Sequence, residues 1–267
     1  MLKRSACWLV VSLLAACGGG APPPDQPAGG GVTAAEVERL VRGNGPEPDS
    51  LDPQRARNVE SANVLRDVLE GLTAIGRDGE PVPAAAERWE TSADGLSWTF
   101  TLRDGLRWSN GDAVVADDFA AALRRLVDPA TASQYAQIVD VIRGANEIIQ
   151  GRRPASELGV QAVDARTLVV DLATRAPYLP GLMSHWSTFP VHRATLVRAG
   201  DGFMKPGIAV TNGPFLLEAW VQGSHVDLVA NPRYWNASAV QLPAVRWVTN
   251  NDSAVEYRRY RSGEIHV

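Results

Sequence analysis

The first 31 residues divide into a short apolar run and a stretch rich in Gly, Pro and Ala, and this limits which part of the chain can form a domain. An apolar run from Ser5 to Ala16 follows two basic residues. Because this run is shorter than the ~20 residues that span a bilayer, it predicts an export signal over residues 1–16. Residues 18–31 are Gly, Pro, Ala and Gln with a single Asp, which is typical of a flexible tether. The folded body is therefore expected to begin near residue 32.

The residues Leu14-Ala15-Ala16-Cys17 match the lipobox of bacterial lipoproteins. In that pattern, small residues precede a cysteine whose sulfur takes a diacylglycerol before the signal is cleaved. The match predicts an exported cell-envelope lipoprotein, periplasmic and held at a membrane through acylated Cys17 and the tether 17–31, since two or more acyl chains anchor stably. An ordinary signal peptide with a chance cysteine is the open alternative. Cys7 lies within the signal, so no disulfide is expected.

The charge balance of the body argues against a nucleic-acid partner. Without Lys3 and Arg4, the chain has 24 basic and 30 acidic residues. Binding to a phosphate backbone requires a basic face, and an acidic balance makes such a face less favourable. A local basic pocket is still compatible with this composition.

The sequence contains no motif for catalysis or metal binding. It lacks the phosphate-binding loop, the His-Glu-x-x-His pair and the Gly-x-Ser-x-Gly turn. Its four histidines are scattered without metal-ligand spacing, and Asp117-Asp118 is interpreted as a solvated helix start. We therefore expect no enzyme, no metal and no cofactor. The pattern favours a binding protein over an envelope hydrolase, because no nucleophile–base pair is visible.

Apolar periodicity predicts three helices. In the first, apolar residues recur at i, i+3, i+4 and i+7, with Ser61 as the expected N-cap and Gly71 as the stop. The second begins at Asp117 and ends at Asp128-Pro129, and the third runs from Asp252 or Ser253 through Arg261. The apolar residues of the first helix are Leu65, Val68, Leu69 and Leu72.

Alternating patterns predict the strands. Trp98, Phe100 and Leu102 alternate with polar residues, which indicates a half-buried strand. Hairpins are expected over 160–172 and 215–230, and short strands at Leu40-Val41, at Val245 to Trp247 and from Glu264. Helices interspersed with strands predict an α/β fold of two layers.

A series of motifs runs in order along the body. They are Leu51-Asp52-Pro53, Glu70-Gly71-Leu72, Trp98-Thr99-Phe100-Thr101-Leu102-Arg103, Trp108-Ser109-Asn110-Gly111, Thr211-Asn212-Gly213-Pro214-Phe215, Asn231-Pro232-Arg233-Tyr234-Trp235 and Arg261-Ser262-Gly263-Glu264-Ile265. In this order they resemble the family 5 extracytoplasmic solute-binding proteins, the oligopeptide-binding group of ABC importers. The resemblance covers about Val41 to Val267.

The resemblance implies an α/β fold of the periplasmic binding protein-like type II, which has three lobes in a complete member. Carried over to this chain, lobe I comprises residues 32–69 plus 192–267 and contains a mixed sheet. Lobe II is the β-rich insertion 70–191. Lobe III, which closes over the ligand in the family, has no counterpart in the sequence. The chain is therefore expected to represent the N-terminal half of a member.

The resemblance also implies a function and a site. It implies a solute-binding lipoprotein that binds oligopeptides and delivers them to the membrane subunits of an ABC permease. Ligand contacts are expected from Arg57, Asn58 and Val59, which follow Leu51-Asp52-Pro53, and from Tyr135 at the edge of lobe II. The position of Arg57 is often acidic in the family, so arginine here favours a different ligand charge or is merely solvated. Tyr135 likewise contacts the ligand or only packs.

Two further expectations follow from the resemblance. Family members enclose the peptide between lobes I and III, so we expect this chain by itself to bind peptides weakly or not at all. The alternative function is an orphan envelope binding or scaffold lipoprotein that no longer feeds a transporter.

Overall fold

The computed structural model describes residues 39–267. The predicted signal 1–16, the tether 17–31 with Cys17, and the first residues of the predicted lobe I lie outside the described residues. Among residues 39–267, no helix has both the length and the apolar character needed to cross a membrane.

The described residues form ten strands and six α-helices. The strands are β1 Leu40–Gly43, β2 Thr73–Ile75, β3 Pro81–Pro83, β4 Ala86–Thr91, β5 Ser97–Leu102, β6 Val160–Ala162, β7 Thr167–Asp171, β8 Phe215–Val221, β9 His225–Ala230 and β10 Ala244–Val248. The helices are α1 Val59–Val68, α2 Ala116–Val127, α3 Ala145–Ile149, α4 Leu179–Leu182, α5 Arg193–Ala199 and α6 Ser253–Arg261.

The strands form two four-stranded sheets and one small hairpin. The first sheet has the order β1-β10-β9-β8 and is mixed, because β1 runs parallel to β10 while the other pairs are antiparallel. The second four-stranded sheet has the order β4-β5-β7-β6 and is antiparallel throughout. Strands β2 and β3 pair separately. The chain thus leaves the first sheet after β1, builds the other two, and returns at β8.

The core of the second four-stranded sheet comes from the predicted alternation. On β5, Phe100 and Leu102 are fully buried, and Leu168 and Val170 of the adjacent β7 are buried with them. Helix α2 packs on this sheet with its predicted apolar stripe, which includes fully buried Leu126. Each large side chain removed from water contributes about 1.5–3 kcal/mol, so these faces hold the sheet and the helix together.

Helix α1 begins earlier than predicted, and its cap is a different residue. Asn58 is the N-cap, and its side chain accepts a hydrogen bond from the Ser61 backbone N–H at 3.0 Å. The predicted cap, Ser61, instead lies inside the first turn and is fully buried. The helix ends at Val68, so Leu72 is buried beyond the helix and does not belong to its stripe. The N-cap is therefore Asn58, a polar residue three positions before the predicted one.

Helix α2 lacks a side-chain cap at its first position. Val115 occupies the N-cap, and a valine side chain has no acceptor for the free N–H groups. The Asp118 carboxylate partly compensates, because it accepts the Val115 backbone N–H at 3.0 Å. The same carboxylate accepts the indole N–H of Trp108 at 3.2 Å.

The predicted strand from Glu264 is wrong. The residues after α6 have no strand geometry, although the His266 N–H donates to the Val41 carbonyl at 2.8 Å. The segment therefore lies along the outer edge of β1, where the Gly43 N–H also donates to the Val267 carbonyl at 2.9 Å, without forming a ladder.

Candidate functional site

The loop between β1 and α1 is built around one buried aspartate. The Asp52 carbonyl accepts the N–H groups of Arg55 and Ala56, at 3.0 and 2.8 Å. The Asp52 carboxylate accepts the Gln54 N–H at 3.1 Å. This local turn explains the Leu51-Asp52-Pro53 motif, since proline fixes one backbone angle and aspartate satisfies the turn that follows.

A buried polar network fixes this loop to two other parts of the chain. The Arg125 guanidinium from α2 binds both carboxylate oxygens of Asp52, at 2.6 and 2.5 Å, and donates to Gln54 Oε1 at 2.6 Å. The fully buried Gln54 amide then donates to the carbonyls of Ser187 and Phe189, at 3.0 and 2.9 Å. We call Arg125, Asp52 and Gln54 the loop floor. The bidentate contact fixes geometry as well as contributing energy.

Arg57 follows the loop floor in the same loop, and its side chain is partly exposed. Its Nε donates to Asp49 Oδ2 at 2.7 Å, and its backbone N–H donates to Asp49 Oδ1 at 3.1 Å. Desolvation alone would raise the pKa of Asp49, but the hydrogen bonds from Arg57 and Ser61 outweigh it and the pKa is lowered. The Arg57 side chain is 58% exposed, so its terminal nitrogens face solvent.

Asn58 and Val59 have different roles in the structure. Asn58 uses both ends of its amide internally, since it caps α1 and donates to the Glu47 carbonyl at 3.1 Å. Val59 is 59% exposed at the first position of α1. Asn58 therefore positions the loop, while Val59 presents an apolar surface to solvent.

Tyr135 lies against the same loop from the other side. Its hydroxyl donates to the Arg57 carbonyl at 2.9 Å. Its ring packs near His185 and Trp186, with ring centroids 4.9 and 5.1 Å away. The structure thus places Tyr135 next to the Arg57–Val59 segment, although the two lie far apart in sequence. We call Arg57, Val59, Tyr135 and His185 the ligand wall.

His185 and its neighbour Trp186 are part of the site without a signal in the sequence. Burial, with a smaller contribution from the positive Arg66, lowers the pKa of His185 to about 4, so the imidazole is neutral near pH 7. The His185 and Trp186 rings lie 3.7 Å apart between centroids. Nothing in the spacing of the four histidines distinguishes His185, because its partners come from distant segments.

A cavity of about 500 Å³ opens at the other end of α1. Glu70 lies in it, and its carboxylate accepts the Tyr234 hydroxyl and, at 2.7 Å, the Trp235 indole N–H. Burial raises the pKa of Glu70 to about 7, and the two hydrogen bonds offset only part of that effect. These contacts account for two of the sequence motifs, because Glu70-Gly71-Leu72 and Tyr234-Trp235 meet here. The lining includes Arg66, Leu69, Glu70, Ala74, Ile75, Ile138, Leu182, His185, Phe189, Pro214 and Tyr234.

A close backbone contact holds this end of α1. The Asn212 amide accepts the Glu70 N–H and donates to the Glu70 carbonyl, both at 3.0 Å. The Gly213 N–H donates to the Val68 carbonyl at 3.0 Å. A Cβ at Gly213 would lie 2.5 Å from the Val68 carbonyl carbon, so only glycine fits this approach.

The described residues contain no group of three or more His, Cys, Asp or Glu side chains placed to hold a metal ion. The wall and the cavity instead combine exposed apolar surface with a few polar side chains. This arrangement suits the binding of an organic solute.

Comparison with known proteins defines the class. The family model for bacterial extracellular solute-binding proteins, family 5, middle part, matches residues 80–267. The periplasmic oligopeptide-binding protein OppA of Escherichia coli strain K12 is 41% identical over 238 residues, which cover 88% of this chain and 44% of the relative. The chain therefore belongs to family 5 of the bacterial extracellular solute-binding proteins, a family of binding proteins.

Solved structures of relatives share the fold. The Escherichia coli murein tripeptide-binding protein MppA is 38% identical with a TM-score of 0.83, covering 86% of this chain and 45% of that one. Haemophilus influenzae OppA in complex with the peptide RPPGFSPFR is 37% identical with a TM-score of 0.84 and the same coverage. The predicted type II periplasmic binding protein fold is confirmed. The chain spans less than half the length of each of these relatives.

Proposed function

We propose that this chain is part of a lipid-anchored solute-binding protein that binds oligopeptides and delivers them to an ABC-type permease in the cell envelope. The observation that carries the proposal is the ligand wall, in which Arg57, Val59 and Tyr135 meet at the start of α1. Relatives whose names describe oligopeptide or murein peptide binding support the choice of ligand. The predicted lobes, 32–69 plus 192–267 and 70–191, are part of this proposal.

The chemistry of the wall suits an extended peptide. Val59 offers an apolar contact for a side chain, and the Arg57 guanidinium offers donors for backbone carbonyls or carboxylates. The neutral His185 imidazole adds no charge to the wall. Asn58 acts indirectly in this proposal, because its amide is occupied by the cap and by the Glu47 carbonyl.

Peptide titration with NMR detection tests the wall. The described residues contact the ligand from one side, so binding is expected to be weak and visible mainly as shifts of signals near Arg57 and Tyr135. Val59→Asp and Tyr135→Ala should remove most of these shifts. Val197→Asp is the matched control, because Val197 is 86% exposed on α5 and belongs neither to the wall nor to the cavity lining. Shifts that are absent, or that survive both wall variants, would contradict the proposal.

Detergent-phase partitioning tests the anchor. Cys17→Ala should move the protein from the detergent phase to the aqueous phase, since no acyl chain is then attached. Cys7→Ala is the control and should leave the protein in the detergent phase. A Cys17→Ala protein that stays with detergent would reject the lipoprotein part of the proposal.

A further inference from the structure

One side of α1 links the ligand wall to the cavity. Val59 and Arg66 lie at i and i+7, which places them on one side of α1, and Glu70 follows just beyond the end of the helix at Val68. Val59 is in the wall, while Arg66 and Glu70 line the cavity. His185 belongs to both, because it packs on Tyr135 and also lines the cavity. The two features are therefore parts of one continuous surface.

Arg66 stands at the cavity mouth without a counter-ion. Among residues 39–267, no carboxylate oxygen lies within 4.0 Å of its guanidinium. The acid in the cavity lining, Glu70, instead accepts hydrogen bonds from Tyr234 and Trp235. Although the side chain as a whole is exposed, desolvation lowers the pKa of Arg66 and no acid offsets it. The guanidinium lies 5.2 Å from the Trp186 ring centroid, which holds it over the aromatic cluster.

The cavity behind Arg66 is mainly apolar and has the volume of a small-ligand site. Its volume of about 500 Å³ lies within the range of ~300–1,000 Å³ typical of such sites. The polar groups Thr73 and Ser184 donate to the carbonyls of Pro180 and Gly181, so their hydroxyls are already bonded. The apolar lining comes from Leu69, Ala74, Ile75, Ile138, Leu182, Phe189 and Pro214.

We propose that this cavity binds the apolar end of a ligand that carries a carboxylate, and that Arg66 pairs with that carboxylate at the mouth. The inference extends the proposed function, on which it rests where the ligand is a peptide ending in an apolar residue. A free apolar acid has the same chemistry. Glu70 keeps its carboxylate bonded to Tyr234 and Trp235, and the guanidinium of Arg66 selects the charge of the ligand.

Small probes test the cavity separately from peptide binding. N-acetyl-phenylalanine carries the apolar ring and the carboxylate, and N-acetyl-phenylalanine amide carries the ring alone. Calorimetry of the full chain should give about tenfold tighter binding for the acid, because hydrogen bonds to charged groups are the stronger ones. Arg66→Gln should bring the acid to the level of the amide, and Arg66→Lys should retain part of the preference. Arg198→Gln, an exposed arginine on α5, is the control and should change neither affinity.

The possible outcomes separate this inference from the proposed function. Equal binding of acid and amide, a preference that survives in Arg66→Gln, or no binding of either probe would overturn the Arg66 assignment. If peptides bind at the ligand wall while the probes show no dependence on Arg66, the proposed function stands and the inference fails. If the probes depend on Arg66 while peptides leave the wall signals unchanged, the inference stands for free acids and the peptide function fails. The ligand carboxylate comes either from a peptide C-terminus or from a free apolar acid. Comparing peptides that end in a carboxylate with peptides that end in an amide distinguishes these two sources.

Discussion

The two ends of α1 are held in different ways. At the N-terminal end, side chains supply the contacts, from the Asn58 cap to the buried Arg125 pair of the loop floor. At the C-terminal end, the backbone itself is held by Asn212 and by the close approach of Gly213. Replacing one side chain in a side-chain contact removes part of the stabilising free energy. A backbone contact without room for a Cβ is instead disrupted by any residue larger than glycine. The two ends should therefore respond differently to mutation.

Gly213→Ala tests the backbone contact and should have the largest effect. The new Cβ would meet the Val68 carbonyl carbon at 2.5 Å and the Leu69 nitrogen at 2.7 Å, and neither backbone atom can move freely. We expect the free energy of unfolding in urea to fall by about 4 kcal/mol or more. Gly181→Ala is the matched control, because a Cβ there has no atom within 4 Å. Similar stability in the two variants would show that α1 can shift to relieve the contact.

Arg125→Met tests the loop floor and should have the next largest effect. Removing the guanidinium takes away the bidentate partner of the buried Asp52 carboxylate and leaves only Arg55, whose Nε is 3.8 Å from Asp52 Oδ2. This loss costs about 3 kcal/mol in the free energy of unfolding. The side chains of Arg125 and Asp52 are 17% and 10% exposed, so solvent screens this pair only weakly. Chemical denaturation measures the change, with Arg198→Met as the exposed control. A loss below about 1 kcal/mol would show that the Arg125–Asp52 pair stabilises the fold no more than an exposed surface ion pair does.

Glu70→Gln tests how the Glu70 carboxyl group, at the C-terminal end of α1, makes stability depend on pH. The folded pKa of about 7 lies above the ordinary 4.5, so the folded state keeps a proton that the unfolded state releases. This contribution to stability is present below about pH 4.5 and is lost as pH rises towards 7. We expect the native protein to lose about 2 kcal/mol more than the variant over this interval, after allowance for partial exposure.

Denaturation at several pH values measures this difference. Asp67, whose pKa burial raises to about 6, and His185 also titrate nearby, but both are present in the native and variant proteins. Their contributions therefore cancel in the comparison. Parallel stability curves for the two proteins would show that Glu70 titrates normally.

Asn58→Ala tests the cap and should have the smallest effect. Losing the side-chain acceptor at the N-cap costs about 1 kcal/mol in the free energy of unfolding. Asn58→Ser keeps an acceptor for the Ser61 N–H and should recover most of this loss. If Ala and Ser are equally stable, the bond to Glu47 rather than the cap holds the loop.

Local patterns predicted much of this fold, but only part of the site. The hairpins at 160–172 and 215–230 were predicted because their strands and turns are adjacent in sequence. The cap at Asn58 was missed, because Ser61 has the same chemistry and periodicity does not fix a helix start to within one turn. Choosing between them required the contacts with Asp49 and Glu47.

The site needed contacts between distant segments. A hydrogen bond from the Tyr135 hydroxyl to the Arg57 carbonyl joins two distant segments. A hydrogen bond from the Trp235 indole to the Glu70 carboxylate joins two others. The family motifs contained both of the latter residues without indicating that they meet. No sequence motif indicated Arg66. Its proposed role depends on the lack of an ion pair with Glu70, whose carboxylate bonds Tyr234 and Trp235.

The pairing of β1 with β10 sets an order for folding. Leu40 is aligned with Val245, so the first sheet closes only after roughly 200 further residues, the separation between the two strands, have left the ribosome. The sheet β4-β5-β7-β6 uses nearer neighbours, and closing shorter loops is faster. Pulsed hydrogen exchange should therefore show protection at Phe100 and Leu168 before Val245. Until Val245 is available, β1 has no partner strand among the described residues, because β10 is its one neighbour in the first sheet.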